Sequence, residues 1–391
     1  MSEWKEIEFA ECLINESISY GIVQPGSDVR TDSVPIIRVQ NIKNGVIDTS
    51  DVRHVSKEIE EKYYRTRLQG GELLITVVGS VGQTAIVPES LKGWNVARAV
   101  SVARIKDSFN KYFIKYLFRT EDAIFQMYGN TNDTVQPTLN LKELKRLVFN
   151  IPKKNEQDQI AEVLSSLDDK IDLLHRQNQT LEQMAETLFR QWFVEEANDN
   201  WGISKIGEEL KTGLGGTPST KKDEFWGGNI PWINSGEVNN FRILEATKYI
   251  TELGLKKSNT KLLPKGTTVL AITGATLGQV SLLEIDTCAN QSVVGIIPNE
   301  KFPKEFVFMW IKLKINEIIL NETGGAQPHI NKNDINETEI VVPDKKHLSK
   351  AMEFISPMFD KITKNSFQIR TLTALRDTLL PKLMSGEVRV I

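Results

Sequence analysis

Few residues in this sequence are placed to do chemistry. Cys12 and Cys288 lie far apart, neither sits in a CxxC pair, and the chain has only four histidines. No disulfide framework, structural zinc site or other metal site is expected, and the cysteine usage suits a reducing cytoplasm. Asp344-Lys345-Lys346, after Pro343, offers a nuclease-like carboxylate and lysines, but no partner acidic residue is evident on a preceding strand. Asn229-Ile230-Pro231-Trp232 has the outline of a base-methylating motif, an asparagine followed by two prolines and an aromatic. Ile230 replaces the first proline, and no convincing Gly-rich cofactor loop accompanies it. Gly79-Ser80-Val81-Gly82 and Gly274-Ala275-Thr276-Leu277-Gly278 invite a phosphate-loop reading, yet no GxxxxGK[ST] follows and the next element reads as a strand, so a hairpin turn is expected at each. No catalytic residue and no cofactor of the chain's own is assigned.

The elements that must position any site are visible as a repeat. Gln136-Pro137-Thr138-Leu139-Asn140 returns as Gln327-Pro328-His329-Ile330-Asn331, 191 residues later. The same offset carries Ile151-Pro152 onto Val342-Pro343 and Asp169-Lys170-Ile171 onto Asp360-Lys361-Ile362. Upstream the offset drifts from 193 to 197: Trp4 answers to Trp201, Pro35-Ile36-Ile37 to Pro231-Trp232-Ile233, and Gly71 with Gly79 to Gly266 with Gly274. The chain divides into globular segments 1–152 and 197–343, each followed by a helical segment, 153–196 and 344–391. By itself the duplication also fits a scaffold that binds neither DNA nor substrate.

The helical segments carry a 3,4 spacing of apolar residues. In the first it runs through Leu164, Leu167, Ile171, Leu174, Asn178 and Leu181; in the second through Ile355, Ile362, Asn365, Ile369, Leu372 and Leu379. A helix over 156–195 spans about 60 Å, too long to be buried in one small domain, so it needs a partner helix. Residues 153–196 carry a net charge of −5 and residues 344–391 a net +4, which favours pairing with each other. Antiparallel pairing with Asn178 facing Asn365 sets Leu174 on Ile369, Ile171 on Leu372, Leu181 on Ile362 and Leu164 on Leu379. Parallel pairing would bury two amides without amide partners, at about 1–3 kcal/mol each. Arg376 falls opposite Leu167 and turns toward Asp168 or solvent. A frayed seam with both asparagines in water is the open alternative, and Pro357 should kink or restart the second helix.

The globular segments read as α+β. Strands are expected at 34–39, 72–78, 84–87 and 99–105 with a helix at 112–127, then at 267–273, 279–284 and 292–297 with a helix at 304–321. Neither segment is basic as a whole, and the chain's 48 Lys and Arg against 51 Asp and Glu exclude a uniformly basic coat. No apolar run approaches the roughly 18 residues of a membrane span, and Met1-Ser2-Glu3-Trp4-Lys5-Glu6 lacks the apolar stretch of a signal peptide, so a soluble intracellular protein is expected.

Two stretches carry a family resemblance. The first is Pro152-Lys153-Lys154-Asn155-Glu156-Gln157-Asp158-Gln159-Ile160-Ala161-Glu162-Val163-Leu164, continuing through Asp168-Asp169-Lys170-Ile171 to Trp192-Phe193. The second is Gly215-Gly216-Thr217-Pro218-Ser219-Thr220, followed by Trp226-Gly227-Gly228-Asn229-Ile230-Pro231-Trp232-Ile233. With two variable segments each followed by a helix, the whole chain resembles the specificity (S) subunit of Type I restriction-modification systems. The second helix departs at 345–352, which lacks the glutamate-glutamine pair of Glu156-Gln157.

The resemblance implies two target recognition domains in a pseudo-twofold arrangement, joined by two long helices in an antiparallel coiled coil. It implies a non-enzymatic reader of double-stranded DNA, each domain reading half of a split asymmetric sequence while the helices set the gap. Two methyltransferase (modification) subunits using S-adenosylmethionine bind it to form an adenine methyltransferase. Two restriction motor-nuclease subunits, using ATP and Mg, join for cleavage. No membrane partner is implied.

Base reading needs amides, guanidiniums and hydroxyls aimed at base edges, with lysines holding phosphates. The loops that fit offer Arg38, Gln40, Asn41, Lys43, Ser80, Gln83, Asn130 and Asn132 in the first half. In the second they offer Thr217, Ser219, Thr220, Lys221, Lys222, Asn234, Ser235, Thr276, Gln279, Gln327 and His329. The Gln-Pro motifs at 136 and 327 fit a structural corner equally well. A protein-binding scaffold of duplicated units, and an enzyme in its own right, remain as alternatives.

Overall fold

A computed structural model describes residues 4–129, 137–239, 241–321 and 330–390. The chain separates into two units, one of residues 1–170 and 372–391, the other of residues 171–371.

In chain order the first unit contains β1 (Lys5–Glu8), β2 (Leu13–Tyr20), β3 (Ser33–Ile37), β4 (Arg53–Ser56), β5 (Leu73–Thr76), β6 (Thr84–Ile86), β7 (Asn95–Val96) and β8 (Val100–Ile105). The helices α1 (Lys111–Leu117) and α2 (Glu121–Gly129) follow, then β9 (Val148–Ile151). Antiparallel pairing of β1 with β9 ties the two ends of the globular segment together. A four-stranded sheet has the order β2-β8-β5-β6, and a three-stranded sheet the order β4-β3-β7 with β3 parallel to β7. The apolar run Leu73-Leu74-Ile75 reads as continuous because β5 is covered on both faces. Leu73 and Ile75 enter the core under α1, while Leu74 enters a second core with Ala85, Val100 and Val102.

The single helix expected at 112–127 is two helices. Asn110 caps α1 through its side chain, which accepts from the Tyr112 and Phe113 amides. The chain then breaks at Thr120, whose hydroxyl donates to the Leu117 carbonyl at 2.7 Å and accepts from the Ala123 amide at 3.2 Å. A side chain that serves both sides of the break competes with the helical ladder and restarts it.

Helix α3 (Lys154–Arg190) ends in a π-helical turn at Gln191–Glu195 and leads into the second unit. There lie β10 (Gly202–Lys205), β11 (Lys211–Leu214), β12 (Trp226–Ile233), β13 (Lys248–Ile250), β14 (Thr268–Ala271), β15 (Val280–Leu283), β16 (Cys288–Ala289), β17 (Val293–Ile297), α4 (Lys304–Asn321), β18 (Glu339–Val342) and the start of α5 (Lys345–Met384), whose residues from 372 on belong to the first unit. The topology of the first unit recurs. β10 pairs with β18, β11-β17-β14-β15 form the larger sheet with Arg242–Ile243 added at its edge, and β13-β12-β16 form the smaller one with β12 parallel to β16. Leu270 faces the α4 core while Val269 and Ala271 face the opposite one, repeating the two-sided burial of β5.

Both glycine-rich segments are hairpin turns, joining β5 to β6 and β14 to β15. Gly79, Gly82, Gly274 and Gly278 all have positive φ, which side-chain-bearing residues adopt only with strain. α5 runs without restarting through Pro357, which is exposed, so the carbonyl it leaves unbonded can face water.

The long helices are antiparallel within each unit. In the second, Asn178 meets Asn365, and moving forward along α3 to Ala185 and Phe189 reaches a core shared with the earlier α5 residues Ala351, Ile355 and Phe359. In the first, Asp168 meets Arg376, and moving back to Leu164 and Ile160 reaches the later residues Leu379, Leu380 and Leu383.

Candidate nucleic-acid interface

In the first unit the ends of several strands tie their outgoing loops into one cluster. The Ala97 amide donates to the Ile37 carbonyl, Arg98 to Ile22, Val77 to Ala99 and Leu139 to Val77, each at 2.9 Å. Gly79 donates to Pro137 at 2.9 Å. The second unit repeats this lattice: Asn290 donates to Ile233 at 3.0 Å, Ile272 to Ser292 at 3.0 Å and Ile330 to Ile272 at 3.1 Å. Gly21 and Gly215 occupy matching places, where a Cβ would lie 2.1 Å from a carbonyl oxygen, of Val96 in one case and Asn290 in the other. Only glycine allows that approach. The backbone of the cluster is therefore common to both units and the side chains on it differ.

In the first unit the cluster presents Gln40, Lys43, Ser80 and Gln83 as exposed side chains. Gln40 and Arg38 both donate to Asp51, at 3.3 and 3.1 Å, so a carboxylate holds them in the free protein. Asn41 is placed otherwise. It is 3% exposed, its Oδ1 accepts from the Arg38 amide at 2.9 Å, and its Nδ2 donates to the Asp48 and Asp51 carbonyls at 3.0 and 2.8 Å. Its carboxamide braces the loop and has no donor left for a base.

The second unit presents Thr217, Ser219, Thr220, Lys221, Lys222 and Gln279 as exposed, with Ser235 and Thr276 half-buried. Lys222 lies over the Phe225 ring at 5.0 Å. Asn234 is half-buried in a turn, with its amide and Nδ2 both donating to Glu237 Oε2 at 2.8 and 3.1 Å. Glu237 also accepts from the Thr247 amide at 2.9 Å, doing as a carboxylate what Asn41 does as an amide. Asn130, Asn132, Gln327 and His329, together with Gln136, lie outside the described residues.

The globular segments are fixed to the helices by different means. Asp168 on α3 accepts from Arg376 at 2.9 Å and from the Tyr116 hydroxyl at 2.7 Å, with Lys115 and Arg119 at 3.5 and 3.4 Å. Burial alone would raise its pKa. The Arg376 hydrogen bond, the Lys115 charge, the Tyr116 hydrogen bond and the Arg119 charge outweigh that and hold it below the ordinary carboxylate range. Burial beside Asp168 pushes the Tyr116 hydroxyl up.

In the second unit Lys312 on α4 bridges Glu182 and Glu186 of α3. Arg242 is almost wholly buried, with its guanidinium 4.2, 4.7 and 5.5 Å from the rings of Phe241, Phe359 and Phe308. Its partner Glu284, at 3.3 Å, also accepts from Thr363 of α5 at 2.7 Å. Burial pulls the Arg242 pKa down to about 10 despite the Glu284 charge.

Along the helices Leu164, Ile171, Leu174, Ile355, Ile362 and Asn365 are buried, and Leu167, Asn178, Leu181, Ile369, Leu372 and Leu379 are half-buried. Asn365 Nδ2 donates to Asn178 Oδ1 at 2.9 Å, and Asn178 Nδ2 donates to the Ser366 hydroxyl at 3.3 Å. Asn365 is 1% exposed, so these amides do not face water at a frayed seam.

The expectations drawn from sequence passed over Arg98 and Gln291, which lie at one place in the two lattices. They also passed over the Arg242 anchor; the turn of Arg376 toward Asp168 was among those expectations, without Tyr116, Lys115 and Arg119. Residues 95–99 and 288–292 share no residue at the offset of 193 that the structure assigns them, so the repeat gave no signal that pairs Arg98 with Gln291. Among the described residues no group of three or more His, Cys, Asp or Glu is arranged to hold a metal ion, and no helix is long and apolar enough to cross a membrane.

The family model described as Type I restriction modification DNA specificity domain matches twice, over residues 24–183 and 198–371. Among curated proteins, the MjaIX specificity subunit of Methanocaldococcus jannaschii, a Type I restriction enzyme component, is 28% identical over 82% of this chain and 78% of its own. The HindI specificity subunit of Haemophilus influenzae is 23% identical over 99% of this chain and 100% of its own. Among solved structures, the Type I restriction-modification S subunit from M. genitalium superposes with a TM-score of 0.63 at 16% identity, over 98% of this chain and 96% of its own, and so shares the fold.

Proposed function

Because the chain belongs to the Type I restriction modification DNA specificity domain family, which it matches twice, we propose that its two loop clusters read the two halves of one bipartite, asymmetric DNA target. It is a DNA sequence-specificity subunit with two recognition domains, non-catalytic in itself. The observation that carries the reading is the duplicated lattice. One backbone hydrogen-bond pattern is built twice and presents Gln40, Lys43, Ser80 and Gln83 in one unit against Thr217, Ser219, Thr220, Lys221, Lys222 and Gln279 in the other. A common scaffold with different side chains is what two different half-sites require. Exposed lysines suit phosphates, and the amides and hydroxyls suit base edges.

The antiparallel helices set the distance between half-sites and help to dock two methyltransferase subunits. S-adenosylmethionine belongs to those subunits, and ATP and Mg to two motor-nuclease subunits. The assembled complex is an adenine-specific methyltransferase and restriction endonuclease working on cytoplasmic DNA. Family membership does not favour the scaffold alternative. Gel-shift of the chain co-expressed with its methyltransferase subunits, on a pool of random duplexes, tests the reading. Sequence-selective retention that weakens with salt is expected, and retention that ignores sequence would overturn it.

A further inference from the structure

We infer that Arg98 and Gln291 are equivalent base-reading residues, one for each half-site. The inference rests on the DNA-reading function proposed above. Arg98 sits on the loop at the centre of its cluster. The residue before it donates to Ile37, its own amide donates to Ile22, and the residue after it accepts from Val77, so three other loops surround it. Phosphate contacts fix register and orientation, whereas sequence is read by side chains that reach base edges in a groove. Arg98 is exposed and makes no side-chain hydrogen bond or ion pair among the described residues, unlike Arg38, which Asp51 holds. A free guanidinium is a suitable bidentate donor to guanine O6 and N7 in the major groove.

Gln291 occupies the same place in the second unit. Asn290 before it donates to Ile233, and Ser292 after it accepts from Ile272. Its side chain is exposed, and its Oε1 accepts from the Thr217 hydroxyl at 2.5 Å, which sets the orientation of the carboxamide and turns Nε2 away from that contact. An oriented glutamine amide is suited to adenine N6 and N7. The same backbone position thus carries the two side chains that discriminate purines most directly.

The test uses the complex with its methyltransferase subunits. Methylated motifs are mapped by long-read sequencing for wild type, Arg98→Lys, Arg98→Ala and Gln291→Ala, with thermal unfolding of each to confirm folding. Arg98→Lys keeps the charge and loses the planar fork. It should relax one base position in one half-site, with discrimination there falling about 5- to 150-fold, and leave the other half-site unchanged. Gln291→Ala should relax one position in the other half-site only. Arg98→Lys behaving as wild type while Arg98→Ala weakens binding evenly across sequences would make Arg98 a phosphate contact and overturn the inference. Unchanged motifs in all three variants would overturn it too. A wild-type complex without any bipartite motif would instead remove the DNA-reading function on which the inference rests.

Discussion

Asp168 gathers four hydrogen bonds, three of them from positively charged side chains, onto one largely buried carboxylate, so it is worth most as an anion. Asp168→Asn leaves Lys115, Arg119 and Arg376 together without the charge that offsets them, and should cost about 3 kcal/mol at pH 7 by denaturant unfolding. The carboxyl titrates below its ordinary 3.8 in the folded chain and near 3.8 unfolded. Its contribution is therefore complete above about pH 4 and is lost as the pH falls through the folded value. The stability gap between wild type and variant should close over that range, and a gap independent of pH would contradict the assignment. At the helix seam, Asn365→Leu should cost about 1–3 kcal/mol because it strands the Asn178 amide. Asn178→Cys with Asn365→Cys should crosslink, whereas Asn178→Cys with Ile369→Cys, the pair a parallel arrangement would bring together, should not.

In the proposed function the two helices are the elements that set the gap between half-sites. One matched heptad inserted into each adds about 10 Å, or about 3 base pairs at roughly 3.4 Å each, and motif mapping of that variant should show the gap lengthened by that amount. These elements were legible in the sequence. Their heptads run without insertion at a constant offset of 191 and opposite charge selected the partner, so periodicity and electrostatics pointed the same way. The central strands were legible because Leu73-Leu74-Ile75 and Val269-Leu270-Ala271 are buried on both faces. Other features were hidden for physical reasons. Thr120 looks ordinary inside a helical stretch, and only the geometry of its hydroxyl shows that it breaks the helix. Asn41 has the composition of a base reader and the burial of a brace, and burial is not written in a loop sequence. Arg98 and Gln291 were separated by the drift of the offset upstream, and an exposed arginine between strands reads as solvated until its loop is seen to be central.

For the whole molecule, the net charge of −3 conceals near-neutral globular segments and oppositely charged helices. The proposed function accordingly draws DNA affinity from local side chains on the two loop clusters rather than from a general positive field. Two units of one topology with different side chains on the same lattice are what the proposed target in two unlike halves calls for, and the family model matches twice, over residues 24–183 and 198–371. Long-read methylation mapping in cells with and without this gene, the methyltransferase subunit being present in both, tests that claim most directly. The account predicts a methylated adenine motif that appears only with the gene and consists of two different short sequences at a fixed spacing. A palindromic motif, a single undivided one, or no gene-dependent motif would contradict it.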